Sequence, residues 1–193
     1  MKFIGIILLL LTSIFLIACS AKENLSTLND KYGGIYIFDK KFYEEIEKRE
    51  AERKELRKNT KGKDLGGGLY AVNTKIVDEK IPQILSNGKR YYVNKRQYEI
   101  DFKKAPKAPE SYKERIKNVI GRENLDKIPG IGLGIFYIDN NGNITPITMY
   151  IQYSEKNKKY GLFGDEGRGF SLSRDQFEYY KVKNKFYMQD LEK

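Results

Sequence analysis

The stretch GLGIFYIDNNGNITPITMYIQYS, residues 132–154, sets the fold class. Its two arms are rich in β-branched and aromatic residues, with Asn140-Asn141-Gly142-Asn143 between them. Such arms fit a pleated surface, and Asn and Gly supply the positive φ angles of a tight turn. The segment reads as a long β-hairpin. Pro146 lies inside the second arm; lacking an N–H, it belongs at a bulge or on an edge strand. Gly130, Gly132 and Gly134 fall short of a dinucleotide fingerprint, because the third glycine comes one residue early and a strand follows instead of a helix. They read as points of twist or close packing.

The same signals recur on either side. Residues 81–85 and 90–93 flank Ser86-Asn87-Gly88-Lys89 as the clearest hairpin. Asn94 to Arg96 reads as a turn and Gln97 to Phe102 as a further strand, ended by the two prolines of KKAPKAPE. GGIYIF, 33–38, is the first strand. LYAVNTKIV, 69–77, is another, reached through the glycine-rich turn NTKGKDLGGG. That turn lacks the Gly-Lys-Ser/Thr of a phosphate-binding loop and leads into a strand. Downstream, EKNKKYG reads as a turn, and FEYYKV with KFYMQDL as a last hairpin. A capping-box pattern at Ser173 and Gln176 offers a C-terminal helix as the rival.

Two helices interrupt this pattern. Asp39 is a good N-cap for KKFYEEIEKREAERKELRKN, which carries i,i+4 pairs such as Glu44-Lys48 and Glu45-Arg49. Its apolar stripe is thin (Phe42, Ile46, Ala51, Leu56), so it reads as a mostly solvated helix. Tyr112, Ile116, Val119 and Ile120 mark a short amphipathic helix closed by Gly121. The expectation is α+β: mainly an antiparallel sheet of hairpins, one long polar helix (about 39–58) and one short helix (about 110–120).

Composition narrows the chemistry. The 193 residues carry a net charge of +10, no histidine and a single cysteine, Cys19. Histidine-based triads and histidine metal sites are excluded, as are an internal disulfide and a cysteine-rich zinc site. Met1-Lys2 followed by an almost wholly apolar run from Phe3 to Ile17 has the layout of a secretory signal. A spanning helix would need about 20 apolar residues, and the run meets polar Ser20, Lys22 and Glu23 first.

Leu16-Ile17-Ala18-Cys19 resembles the lipobox of bacterial lipoproteins. The resemblance covers the first twenty residues. It implies a diacylglyceryl group on the Cys19 sulfur, cleavage between Ala18 and Cys19, and an N-acyl chain on the new terminus. No other cofactor is expected. One buried acyl chain holds a protein only marginally, at about 0.8 kcal/mol per methylene, so two or three make a stable anchor. The expected organisation is a removed signal peptide (1–18), lipidated Cys19 with a flexible tether (19–32), and one α+β domain (33–193). The resemblance places the chain in the bacterial cell envelope: at the outer membrane in a diderm host, where serine after the cysteine usually permits export, and otherwise on the outer face of the plasma membrane.

Candidate sites follow from charge. Residues 75–107 hold nine Lys/Arg against four Asp/Glu, whereas the long helix is nearly neutral with eight against seven. The basic–aromatic stretch KRYYVNKRQY gives a candidate contact set of Lys89, Arg90, Tyr92, Lys95 and Arg96. If it is a strand, Arg90 and Tyr92 share one face. Its expected partners are anionic envelope polymers, phospholipid headgroups or an envelope protein, with specific nucleic-acid recognition disfavoured at that location. Asp165 and Glu166, beside Arg168, are the best candidates for acid–base hydrolysis, which would require them to converge in a pocket. Asp139 to Asn143 invites a calcium-loop reading, but glycine comes fourth and Tyr150 holds position twelve, so a hairpin turn explains it better. The first expectation is therefore a non-enzymatic binding or structural lipoprotein. An envelope hydrolase and an inhibitor or immunity-type lipoprotein are the alternatives.

Overall fold

In the computed structural model, the described residues are 25–60, 62–67, 69–71, 74–165, 167 and 169–193. The lipobox and Cys19 lie outside them. In chain order the elements are helix α1 (25–32), β1 (Gly34–Ile37), α2 (Lys40–Asn59), β2 (Asp64–Gly66), β3 (Leu69–Tyr70), α3 (Thr74–Lys80), β4 (Tyr91–Tyr92), α4 (Lys95–Phe102) and α5 (Glu110–Ile120). A 3-10 turn (Arg122–Lys127) leads to β5 (Ile131–Leu133), β6 (Phe136–Ile138), β7 (Ile144–Pro146), β8 (Thr148–Ile151), β9 (Ser154–Asp165), β10 (Gly169–Tyr179), β11 (Asn184–Tyr187) and α6 (Met188–Leu191). The fold is α+β, with sheets built largely of hairpin strands. Among the described residues no helix is long and apolar enough to cross a membrane.

The chain divides into two compact units, each discontinuous in sequence. The larger comprises Ile35–Val119, Gly132–Tyr150 and Lys185–Lys193. It holds a sheet of order β4-β6-β7, and most of a second sheet of order β11-β1-β8-β5. The expected hairpin at 132–154 connects them. Phe136 faces Pro146 and Ile138 faces Ile144 across β6 and β7, around a turn in which Gly142 has φ 80°. Ile147 N and Thr148 N then both donate to Ile135 O, at 2.8 and 2.9 Å. Two residues opposite one carbonyl make a bulge, which lets the strand change sheets. Pro146 occupies the edge strand immediately before it, as its missing N–H requires. Gly132 and Gly134 serve close packing: a β-carbon would collide with the Tyr150 ring at the first and with Thr148 Oγ1 at the second.

The small sheet is covered on both faces. Tyr91 packs with Ile37, Tyr43, Ile46, Leu85 and Ile147, while its neighbour Tyr92 packs with Tyr98, Leu133 and Phe136. Alternation along a strand sends consecutive side chains to opposite faces, so the two tyrosines serve separate clusters. Tyr91 also donates to Glu50 Oε1 at 2.8 Å, and burial pushes its phenol far above the ordinary value. Asp39 Oδ1 accepts from Phe42 N at 2.9 Å and so caps α2 as expected.

Several local expectations are corrected. Residues 74–80 are helical rather than part of a strand, and 95–102 form α4 rather than a turn and strand. The hairpin at 81–93 keeps its turn, with Gly88 at φ 79°, and a single bridge pairs Ile84 with Arg90. Tyr91 N still donates to Gln83 O at 3.1 Å, and on the other side Tyr91 and Tyr92 pair with Tyr137 and Phe136. The two strands β6 and β7 give them a sheet covered on both faces, which their own hairpin arm does not. EKNKKYG is strand, not turn. FEY, 177–179, pairs with SEK, 154–156, while KFY joins the four-stranded sheet and Met188–Leu191 forms a short helix.

The smaller unit comprises residues up to Gly34, Ile120–Ile131 and Ile151–Asn184. Its main feature is the antiparallel ribbon β9–β10, 12 and 11 residues long, running from Ser154↔Tyr179 to Asp165↔Gly169. The tether expected over 19–32 is helical from residue 25 to 32. Asn29 and Tyr32 are each 7% exposed, and Asn184 Nδ2 donates to Asp30 O at 2.8 Å and Gly33 O at 3.0 Å. These contacts outweigh the segment's polar composition.

A candidate anion-binding surface around helix α4

Helix α4 is built by its ends and one aromatic face. Asn94 Oδ1 accepts from Arg96 N at 2.8 Å, closing the first turn. At the other end Lys103 takes the left-handed conformation, φ 55°, and its N–H returns to Glu99 O. Between them Tyr98 and Phe102 stack at 4.6 Å, and Tyr98 meets Tyr92 at 5.5 Å and Phe136 at 5.4 Å. The aromatic residues that read as strand are the face by which this helix docks.

The five candidate contacts fall around that helix in different environments. Arg90 lies over the Tyr92 ring at 5.3 Å, with Nη1 3.1 Å from Asp101 Oδ2. Tyr92 itself is 4% exposed and donates to the same Asp101 oxygen at 3.2 Å. It is a buried platform beneath Arg90 rather than a surface contact, and burial raises its phenol above the ordinary value. Lys89 Nζ donates to Asn140 Oδ1, tying the 86–89 turn to the 139–143 turn. Lys95 Nζ stands 6.0 Å from the Tyr150 ring. Arg96 is exposed, its side chain without an ion pair among the described residues.

Beyond the C-terminus of α4 opens a groove of about 830 Å³, lined by Tyr98, Lys104, Lys107, Ser111, Tyr112, Asp139, Asn143 and Thr145, among others. Its carboxylate is already engaged: Asp139 Oδ1 accepts from Asn141 N and Asn143 N, each at 2.8 Å. Those bonds, the one from Asn143 foremost, hold Asp139 below its ordinary pKa. The loop at 139–143 is thus a hairpin turn closed on its own aspartate. Lys104 and Lys107 make no ion pair among the described residues. The groove therefore presents two uncompensated ammonium groups, the hydroxyls of Ser111, Tyr112 and Thr145, and an aromatic wall. That set suits a ligand with anionic oxygens and hydroxyl-bearing carbon. The sequence reading counts the lysines of KKAPKAPE in the basic excess of residues 75–107 but takes the segment itself as a sheet breaker. The signal in it was lysine interleaved with proline, which holds a chain extended and its side chains outward.

The other candidates lie elsewhere. Asp165 sits on the exposed turn at the tip of the β9–β10 ribbon, its Oδ1 accepting from Gly167 N at 3.0 Å. Glu166, its expected partner, lies outside the described residues, as does Cys19. Among the described residues no group of His, Cys, Asp and Glu is arranged to hold a metal ion. No protein-family model matches this chain, and neither a curated protein nor a solved structure matches it.

Proposed function

We propose that this chain is a lipid-anchored bacterial envelope protein that acts by binding rather than catalysis, with anionic envelope polymers or headgroups held on the surface around α4. The observation that carries the binding reading is the run of cations from Lys89 to Lys107. Seven Lys/Arg stand there against two carboxylates, Glu99 and Asp101, and Lys104 and Lys107 line an open groove. Like charges in excess of their counter-ions repel one another, and an anionic ligand relieves that repulsion while gaining affinity from it. Asp165, exposed at the end of β9, supports binding over hydrolysis, since a paired-carboxylate mechanism needs a concave site. The anchor rests on the lipobox resemblance of Leu16 to Cys19.

Replacing Lys89, Arg90, Lys95 and Arg96 by glutamate, with Lys104→Glu and Lys107→Glu added, tests the surface. Cosedimentation with vesicles containing phosphatidylglycerol and with anionic envelope polymers should fall at least tenfold, and wild-type binding should weaken as salt rises. Unchanged binding by the charge-reversed protein would discard the surface. The anchor is tested separately: Cys19→Ser should abolish incorporation of radioactive fatty acid, and persistent labelling would refute lipidation at that sulfur.

A further inference from the structure

The β9–β10 ribbon exposes apolar side chains on a scale that isolated strands do not tolerate. Tyr160 is 78% exposed, Leu162 71%, Phe170 63% and Leu172 77%. All four lie in the outer half of the ribbon, near the turn, and no other strand pairs with either edge among the described residues. A two-stranded ribbon is marginal in water without a surface to cover its apolar residues, and clustered exposed apolar residues mark a contact site.

Charge beside the cluster identifies what covers it. Arg174 faces Lys159 directly across the pair, and Lys158 is the next residue along β9. Like charges opposite each other in a ladder are unfavourable. Asp175 lies opposite Lys158 but pairs with Lys156, Oδ2 to Nζ 2.7 Å. Arg174 forms no ion pair among the described residues and lies over the Phe163 ring, 4.5 Å away. An apolar stretch that includes a tyrosine, with cations on its inner side and Asp165 at the turn beyond it, has the composition of a segment lying along the lipid–water boundary. There, chains sit below the phosphates and Lys/Arg at their level.

Chain length agrees. Within this unit the ribbon's base is tied to the segment just after the anchor: Asn29 Nδ2 donates to Lys181 O at 3.5 Å and Asn184 to Asp30 O. Six residue steps separate Cys19 from Leu25, a reach of at most about 22 Å. Twelve strand residues extend about 40 Å. An anchor shorter than the ribbon keeps the ribbon within reach of the bilayer.

We infer that the outer half of the β9–β10 ribbon, through Tyr160, Leu162, Phe170 and Leu172 and the cations Lys158, Lys159 and Arg174, is a second membrane contact that docks on an anionic lipid surface. This rests on the lipid-anchor reading for its geometry. The test uses full-length protein carrying Leu172→Cys, purified from a host that processes lipoproteins, labelled with a polarity-sensitive thiol fluorophore and placed in phosphatidylcholine vesicles with or without phosphatidylglycerol. Glu52→Cys, on the exposed side of α2, is the control. The expected result is a blue shift and quenching by brominated lipid at 172 but not at 52. Both should be larger with phosphatidylglycerol and be lost on combined Lys158→Glu, Lys159→Glu and Arg174→Glu. A label at 172 that remains in water on every vesicle overturns the inference. So does a shift that follows protein density in the absence of lipid, which would mean two copies pairing. Intact mass reads the anchor independently: two fluorophores on the Leu172→Cys protein would mean that Cys19 is a free thiol. In that event Cys19→Ser with Leu172→Cys still reads the ribbon alone.

Discussion

At the scale of single residues, burial overrides hydropathy in both directions. Arg53, on the most polar helix of the chain, is 4% exposed. Its guanidinium bonds Ile81 O, lies 2.5 Å from Asp78 Oδ1 and has Glu50 Oε1 at 3.4 Å. Arginine reaches that depth because its stem is apolar and its fork can serve several acceptors at once. Tyr153 is the opposite case: 2% exposed, with a phenol oxygen that has no hydrogen-bond partner among the described residues. Burial pushes its pKa up to about 12. A raised phenol pKa favours the neutral native form, so this contribution is complete below pH about 10 and is lost as pH rises toward 12. Tyr153→Phe removes an unsatisfied hydroxyl and that titration together. It should raise stability at pH 7 by about 1 kcal/mol and flatten the alkaline fall. A destabilised Phe variant in urea unfolding would mean that the hydroxyl has a partner.

At the scale of elements, periodicity found helices where the polar face was long and missed them where aromatics dominated. α2 was legible from Asp39 and its i,i+4 pairs; of its expected stripe Ile46 is buried, Phe42 and Leu56 are half-buried and Ala51 is exposed, while Tyr43 and Arg53 are buried unexpectedly. Asp39→Ala leaves the first-turn N–H of Phe42 without its acceptor. It should cost about 1 kcal/mol in chemical denaturation, and a cost near zero would show that water replaces the cap. α4 was not legible, because Tyr98 and Phe102 carry strand propensity and the helix exists to dock them against Tyr92 and Phe136. The candidate surface was half legible for the same reason. Its charge was plain in the sequence. Whether Tyr92 faced solvent, and that Lys104 and Lys107 share a groove with Ser111 and Tyr112, depended on where α4 turned the chain.

Across the whole molecule, the C-terminal segment closes the larger unit through charge pairs distant in sequence. Lys185 Nζ meets Glu47 Oε1 at 2.8 Å, and Arg115 grips both oxygens of Glu192 at 2.6 Å. The Lys185 ammonium holds the Glu47 carboxyl below its ordinary value, and Arg115 does the same to Glu192. Depressed carboxylates stabilise above their unfolded pKa and lose that contribution as pH falls through the folded value. Stability should therefore drop from pH about 4.5 downward, and Lys185→Met should shrink the drop while costing less than about 1 kcal/mol at pH 7, because the pair is half exposed. Equal drops in both proteins, measured as urea midpoints at pH 7 and pH 3, would count against the pair. What the sequence determined alone is local: the α+β class, the helices at 40–59 and 110–120, the turns at 86–89 and 139–143, the bulge beside Pro146 and the basic bias. Each follows from chemistry within a few residues of itself. Tertiary structure decided strand partners, the helices at 74–80 and 95–102, the division into two units and the exposed ribbon. Those outcomes compare burial against segments dozens of residues away, and no local pattern encodes which distant surface wins.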